Sequence, residues 1–171
     1  MRTIILGLAA AGLLAGCSAE PAPKPEEAVT TLRPGEYEVT AKLDDMHSTD
    51  QTKPATKAKA GDPPTSRRAC VAADGSIAAD AFADAGDKCT QSDAYVRGGR
   101  LSMQLSCTRP AGLVMQLVDG NFKADSFEAK LKTATYFEGS GDYAMTRTVT
   151  GKRVGECPPA SATPATGKAK G

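Results

Sequence analysis

Few side chains in this sequence are suited to covalent or metal chemistry: five cysteines and a single histidine, His47. Catalytic dyads and transition-metal sites lean on histidine. His47 sits between Met46 and Ser48 in a polar stretch, with no cysteine or carboxylate in register, and is expected to be solvated. No Gly-x-Ser-x-Gly elbow, phosphate-cradling glycine loop or EF-hand spacing occurs. The carboxylate pairs Asp44-Asp45 and Glu36/Glu38 fall at the end and on the polar face of an alternating segment, where water satisfies them. The sequence therefore presents no catalytic residue, no metal site and no cofactor motif, and it does not read as an enzyme.

The cysteines divide into one and four. Cys17 follows Met1-Arg2-Thr3, an uncharged apolar run from Ile4 to Leu14, and the small pair Ala15-Gly16. A positive start, a short apolar region and small residues at the cut describe a secretory signal peptide. The run is also well short of the roughly 20 apolar residues that a membrane-spanning helix needs. Leu14-Ala15-Gly16-Cys17 resembles a bacterial lipobox, in which the thiol is acylated and the chain is cut just before it. That predicts a lipoprotein held in the membrane through acyl chains (palmitate among them) on Cys17. Ser18, rather than an aspartate, follows the cysteine, which favours the outer membrane with the domain facing the periplasm.

Cys70, Cys89, Cys107 and Cys157 remain. An even number in a small exported domain implies a disulfide framework, and no pair has the close C-x2-C spacing of zinc sites. Cys70–Cys89 with Cys107–Cys157 closes local loops and is the favoured pairing. Cys89–Cys107 with Cys70–Cys157 is its rival, because a hairpin at Gly98-Gly99 would set Cys89 beside Cys107.

Loss of residues 1–16 removes Arg2 and lowers the 21 basic residues to 20, against 20 acidic. This balance disfavours nucleic acid as a partner, and the lack of tryptophan disfavours a stacking platform. Lys53, Lys57, Lys59, Arg67 and Arg68 read as a solvated basic loop. Asp74, Asp80, Asp84 and Asp87 read as the solvated face of a helix. Residues 17–32 and 158–171 are rich in Pro and Ala, the composition of a tether and a tail without packed structure. One domain, 33–157, lies between them.

Within that domain the alternation is period two. Tyr37, Val39, Ala41 and Leu43 share one face; Leu101, Met103, Leu105 and Cys107 another; Phe127, Ala129, Leu131, Thr133 and Phe137 a third; and Tyr143, Met145 and Val149 a fourth. Turn residues at Arg97-Gly98-Gly99-Arg100, Thr108-Arg109-Pro110-Ala111, Lys123-Ala124-Asp125 and Gly139-Ser140-Gly141-Asp142 join the later runs into an antiparallel meander. Asp119-Gly120-Asn121 is expected to be a bulge inside a strand ending at Phe122. Ser76–Ala85, with Ile77, Ala81 and Phe82 on one face and Gly86 behind, predicts a short helix. Residues 44–66 predict a long disordered loop.

The fold expected is all-β, a curved antiparallel meander sheet whose most curled form is a half-barrel, with one short helix and disulfide staples. Two roles follow. One is a non-catalytic envelope module with an unidentified envelope partner. The other is a carrier that holds a hydrophobic ligand on the concave face through Leu101, Met103, Leu105, Met115, Leu131 and Met145. The methionines of that set read first as fillers of a curved core.

Arg33-Pro34-Gly35-Glu36-Tyr37-Glu38-Val39-Thr40, Arg68-Ala69-Cys70-Val71, Gly86-Asp87-Lys88-Cys89, Val96-Arg97-Gly98-Gly99-Arg100-Leu101, Leu105-Ser106-Cys107, Asp125-Ser126-Phe127 and Gly151-Lys152-Arg153-Val154-Gly155-Glu156-Cys157 occur in that order. In this order, with the four cysteines, they resemble the domain of unknown function 3617 family of small exported proteobacterial proteins. Tyr37 stands where that family commonly has tryptophan. The resemblance implies export and cysteine-stapled β structure, and it supplies no catalytic residues.

Overall fold

Seven strands carry the domain: β1 (Gly35–Ser48), β2 (Thr65–Val71), β3 (Lys88–Arg97), β4 (Arg100–Arg109), β5 (Gly112–Lys123), β6 (Ser126–Phe137) and β7 (Tyr143–Gly155). They come from a computed structural model that describes residues 31–158, so the signal segment, Cys17, most of the tether and nearly all of the tail lie outside the described residues. The strands form one antiparallel sheet, ordered β2-β1-β7-β6-β5-β4-β3 and curled into a half-barrel. Inward side chains alternate with outward ones as the sequence predicts. Tyr37, Val39, Leu101, Met103, Leu105, Leu131 and Val149 are almost fully buried on the concave face.

Turn chemistry explains the meander. Gly98 and Gly99 both have positive φ (58° and 77°), the two-residue hairpin geometry whose twist suits the flanking strands. Gly120 has a different role. The registers of β5 with β4 and with β6 run without a shift past Asp119-Gly120-Asn121, so the expected bulge is absent. A Cβ at Gly120 would strike the Glu128 carbonyl and the Ala129 backbone, so glycine lets β6 approach closely there. Gly151 similarly leaves its space to the Phe127 ring, which stacks on Tyr37 at 6.1 Å between centroids.

The first strand extends further than its alternation. β1 shifts register between Leu43 and Asp45, so Asp44 is the extra residue. The strand then continues through Met46, His47 and Ser48, which the sequence reading placed in a loop. The loop proper is shorter, 49–64, and Asp50 ties it down. Its carboxylate accepts from the backbone N–H groups of Thr52, Gly141 and Asp142 at 2.7–3.0 Å. These bonds, those from Thr52 foremost, hold its pKa well below the usual carboxylate range. Leu32, assigned to the tether from composition, is fully buried in the core.

β2 and β3, consecutive in the chain, are the two edges of the sheet. In a flat sheet of this width those edges would stand about 29 Å apart. Residues 72–87 must bridge them and do so as a strap over the concave face. The predicted helix Ser76–Ala85 is overturned, because Ile77 is drawn into an extended bridge with Val71 and Ala78 is also extended (φ −68°, ψ 151°), so no helical turn starts before Ala79. The segment holds instead a single 3-10 turn, Ala79–Ala81. The apolar side chains chosen for the helix face still dock, with Ile77, Ala81 and Phe82 at 1–2% exposure.

The same topology decides the disulfides. Cys70 on β2 and Cys89 on β3 lie on opposite edges, so the favoured Cys70–Cys89 and Cys107–Cys157 pairing is overturned. Cys89 stands directly opposite Cys107 in the β3–β4 ladder, and these two are bonded. Cys70 and Cys157 form the other bridge, with Cα atoms 5.8 Å apart, because Cys70 and Gly155 both flank Glu36 of β1.

Candidate functional site

The concave face and the strap over it gather the polar groups that could do chemistry. Its apolar lining is largely the set expected from sequence: Leu101, Met103, Leu105, Leu131 and Met145 all face inward and are at most 2% exposed. Met115 does not belong to it. In β5 the inward residues are Val114, Gln116 and Val118, and Met115 points outward with Leu113 and Leu117. Both faces of Leu113–Val118 are mostly apolar, so alternation there could not set the phase.

Four charged side chains meet at the far part of the strap. Arg109, at the end of β4, and Arg147, in β7, both project inward. Arg109 grips Asp87 with Nε and Nη2 at 2.6 and 2.7 Å, and its Nη2 also donates to Asp84 at 2.8 Å. Its Nη1 donates to the buried Tyr143 hydroxyl at 2.8 Å. Arg147 holds both oxygens of Asp84 at 2.6 and 3.1 Å. Only 4% of the Asp87 side chain and 12% of Arg147 are exposed, so this is a partly buried ionic latch, not a surface pair. Burial alone would raise the Asp84 pKa. The hydrogen bonds and charge of Arg147, with the charge of Arg109, outweigh it and hold the carboxyl below its ordinary value. Asp87, through its hydrogen bonds, pushes Arg109 above its ordinary value against the opposing effect of burial. The expectation of a solvated acidic helix face thus fails at Asp84 and Asp87, although Asp74 and Asp80 are exposed.

Arg67, read as part of a solvated basic loop, lies on β2 and donates to the backbone carbonyls of Asp80 and Ala83. The strap's own backbone hydrogen bonds run locally, as in Ala72 with Ser76, Ala78 with Ala81, and Asp84 with Asp87. Beyond the Val71–Ile77 bridge, side chains fasten it to the sheet.

Deeper in the face two polar side chains lack partners. Gln116 and Thr133 are opposite each other in the β5–β6 ladder and only 1% and 3% exposed. Gln116 Nε2 and Thr133 Oγ1 make no hydrogen bond among the described residues. Gln116 Oε1 lies 3.9 Å from Cys107 Sγ, a disulfide sulfur with no proton to donate. A buried polar group without a partner costs about 1–3 kcal/mol, so the pair needs an explanation that packing does not give.

The remaining candidates disperse. His47 is exposed on β1 and, among the described residues, reaches only Asp45 Oδ2 at 3.1 Å. Asp44 instead accepts from Thr148 and Lys130, which lower its pKa. Asp87, Cys89 and Cys107 cluster closely enough to suggest a metal, but both sulfurs are spent in one disulfide and Asp87 is held by Arg109. An open groove of about 1020 Å³ lies elsewhere, over β5–β7 near the Ala124-Asp125 turn, where Asp119 and Glu128 alternate with Lys130 and Lys152.

Sequence reasoning missed Arg109, Arg147, Gln116 and Thr133 as a group. One signal existed: Arg147 falls in phase with Tyr143, Met145 and Val149, a charge on an otherwise apolar strand face. Arg109 was hidden inside a turn motif. In comparison with known proteins, a family model described as "Protein of unknown function (DUF3617)" matches residues 32–157. No curated protein and no solved structure matches the chain.

Proposed function

The chain belongs to the domain of unknown function 3617 family, and we propose that it is a lipid-anchored, non-catalytic module of the bacterial cell envelope. In this reading acyl chains on Cys17 hold it at the outer membrane, and the tether presents the β domain to the periplasm, where it meets another envelope component. The observation that carries the reading is that all four cysteines of the domain are used in two disulfides. That chemistry belongs to an oxidising compartment and fits the lipobox-like sequence ahead of it. A non-catalytic role is supported by the latch, whose carboxylates and guanidiniums are engaged with one another. The outward stripe of Leu113, Leu117 and Tyr136, from 36% to 61% exposed, suits a contact surface.

Metabolic labelling with an alkyne fatty acid tests the anchor. The wild-type protein should take up label and Cys17→Ser should not; label retained by the variant would overturn lipidation at Cys17. Alkylation without reduction tests the compartment, since any thiol labelled in the exported domain contradicts it.

A second reading, carriage of a hydrophobic ligand on the concave face, is favoured by the unpartnered Gln116 and Thr133 beneath the strap. Native mass spectrometry of the chain from Ser18 onward separates the two. A recurrent co-purifying adduct favours the carrier, and a bare mass favours the interaction module.

A further inference from the structure

We propose that the strap, residues 72–87, is a displaceable plug that mimics the ligand of the concave face, and that this ligand is an amphiphile with an anionic head and an apolar chain. The inference rests on the carrier reading and names its ligand chemistry and its gate. The strap imitates such a molecule in two parts. Its apolar part, Ile77, Ala81 and Phe82, lies against the concave face, with Phe82 5.9 Å from Phe127 between ring centroids. Its anionic part, Asp84 and Asp87, is seated on Arg109 and Arg147 in bidentate geometry. Planar guanidinium forks suit carboxylates and phosphates alike. When the strap lifts, two arginines in an apolar cup lose their counter-charges, and an incoming anion restores them.

Three further features fit exchange better than permanent packing. Apart from the Val71–Ile77 bridge at the end of β2, the strap's backbone hydrogen bonds are local, so lifting it breaks no rung between two of the seven strands. It is bracketed by the two disulfides, with Cys70 two residues before it and Cys89 two residues after, so opening need not unzip the edge strands. Gly75 and Gly86, near its ends, have positive φ of 81° and 90° and can absorb the backbone change. Beneath it, Gln116 Nε2 and Thr133 Oγ1 stand unpartnered where an oxygen of the ligand's head or ester would find a donor.

The test uses the lipid-free chain from Ser18, which retains every strand, both disulfides and the whole core. Binding of dodecanoate, dodecanol and dodecyltrimethylammonium, each below its micelle concentration, is measured by titration calorimetry. Hydrogen exchange is followed with and without dodecanoate. Dodecanoate should bind at least tenfold more tightly than the other two and should raise exchange across residues 76–86 while β4–β6 stay protected. Asp84→Asn, which loosens the latch, should tighten dodecanoate about thirtyfold by raising the fraction of open protein. Equal binding of all three overturns the anionic head and leaves the carrier reading standing, whereas no binding of any overturns the carrier itself. Dodecanoate binding with unchanged strap exchange, or with affinity indifferent to Asp84→Asn in a variant whose disulfides are intact by mass, overturns the plug.

Discussion

Asp84→Asn at neutral pH gives the sharpest measure of how firmly the strap is held. The native carboxylate makes two bonds to Arg147 and one to Arg109. Asparagine can keep one neutral bond and none of the charge. Arg109 retains Asp87 in the variant, but Arg147, 12% exposed, has no other carboxylate among the described residues. Breaking a fully buried pair costs about 3–5 kcal/mol, and an exposed one about 0–1 kcal/mol. With the Asp84 side chain 27% exposed, the loss belongs between these, at about 2 kcal/mol. For a domain of this size that lowers Tm by roughly 6–8 °C. The pH dependence fixes the cause. The native Asp84 pKa is lowered, so its stabilisation is fully present above the unfolded value of about 3.9 and is lost as pH falls through the native value. Wild type and variant should therefore differ at pH 7, converge below about pH 4, and coincide at lower pH. Paired thermal melts with disulfides intact measure this. A difference under about 0.5 kcal/mol at pH 7, the scale of ordinary surface substitutions, or one that persists undiminished into strong acid, would refute the latch.

Further outcomes follow from the sheet. Gly120→Val should lower stability by about 2–3 kcal/mol or prevent folding, because its Cβ meets β6 backbone. Gly139→Ala, with nothing within 4 Å, should leave the denaturant midpoint unchanged. Met103→Lys should abolish cooperative melting while Met115→Lys shifts it by less than about 1 kcal/mol, since only the first buries an unpaired charge. Peptide mapping without reduction should find Cys70 linked to Cys157 and Cys89 to Cys107. With sequence separations of 87 and 18, loop entropy predicts losses of about 4.6 and 3 kcal/mol when each bridge is removed as a Ser pair. Equal losses would place the effect in native-state packing instead.

Strand existence was legible where one face is buried, so period two survives in Tyr37–Leu43, Leu101–Cys107 and Phe127–Phe137; the edge strands β2 and β3, with Val71 alone buried, carry no such alternation and were not read as strands. Phase was not legible in β5, where apolar residues occupy both faces and the register is set by neighbours in space. The strap was legible only as an apolar spacing. Ile77, Ala81 and Phe82 do dock together, but pairing in space, which draws Ile77 into a bridge with Val71, overrides a local helix preference. The disulfides failed for the same reason. Short loops favoured Cys70–Cys89, and only the order of strands shows those residues to be on opposite edges. The candidate site was the least visible, because a charged residue on a core face has no pattern of its own until its partner is placed.

The chemistry of the latch bears on what the strap is for. Ion pairs taken out of water gain little net stability, and apolar residues of similar volume often serve a permanent core as well or better. Arg109, Arg147, Asp84 and Asp87 are therefore weak grounds for regarding the strap as a simple cover. What such pairs do supply is discrimination, because an open cup with unpaired guanidiniums is costly and only an anion relieves it. An apolar strap would admit any greasy chain that displaced it. A strap held by carboxylates yields most readily to a ligand that brings its own negative charge. Gln116 and Thr133 extend the point inward, since a cup built only for the strap would have no use for two buried polar groups that the strap leaves unpaired.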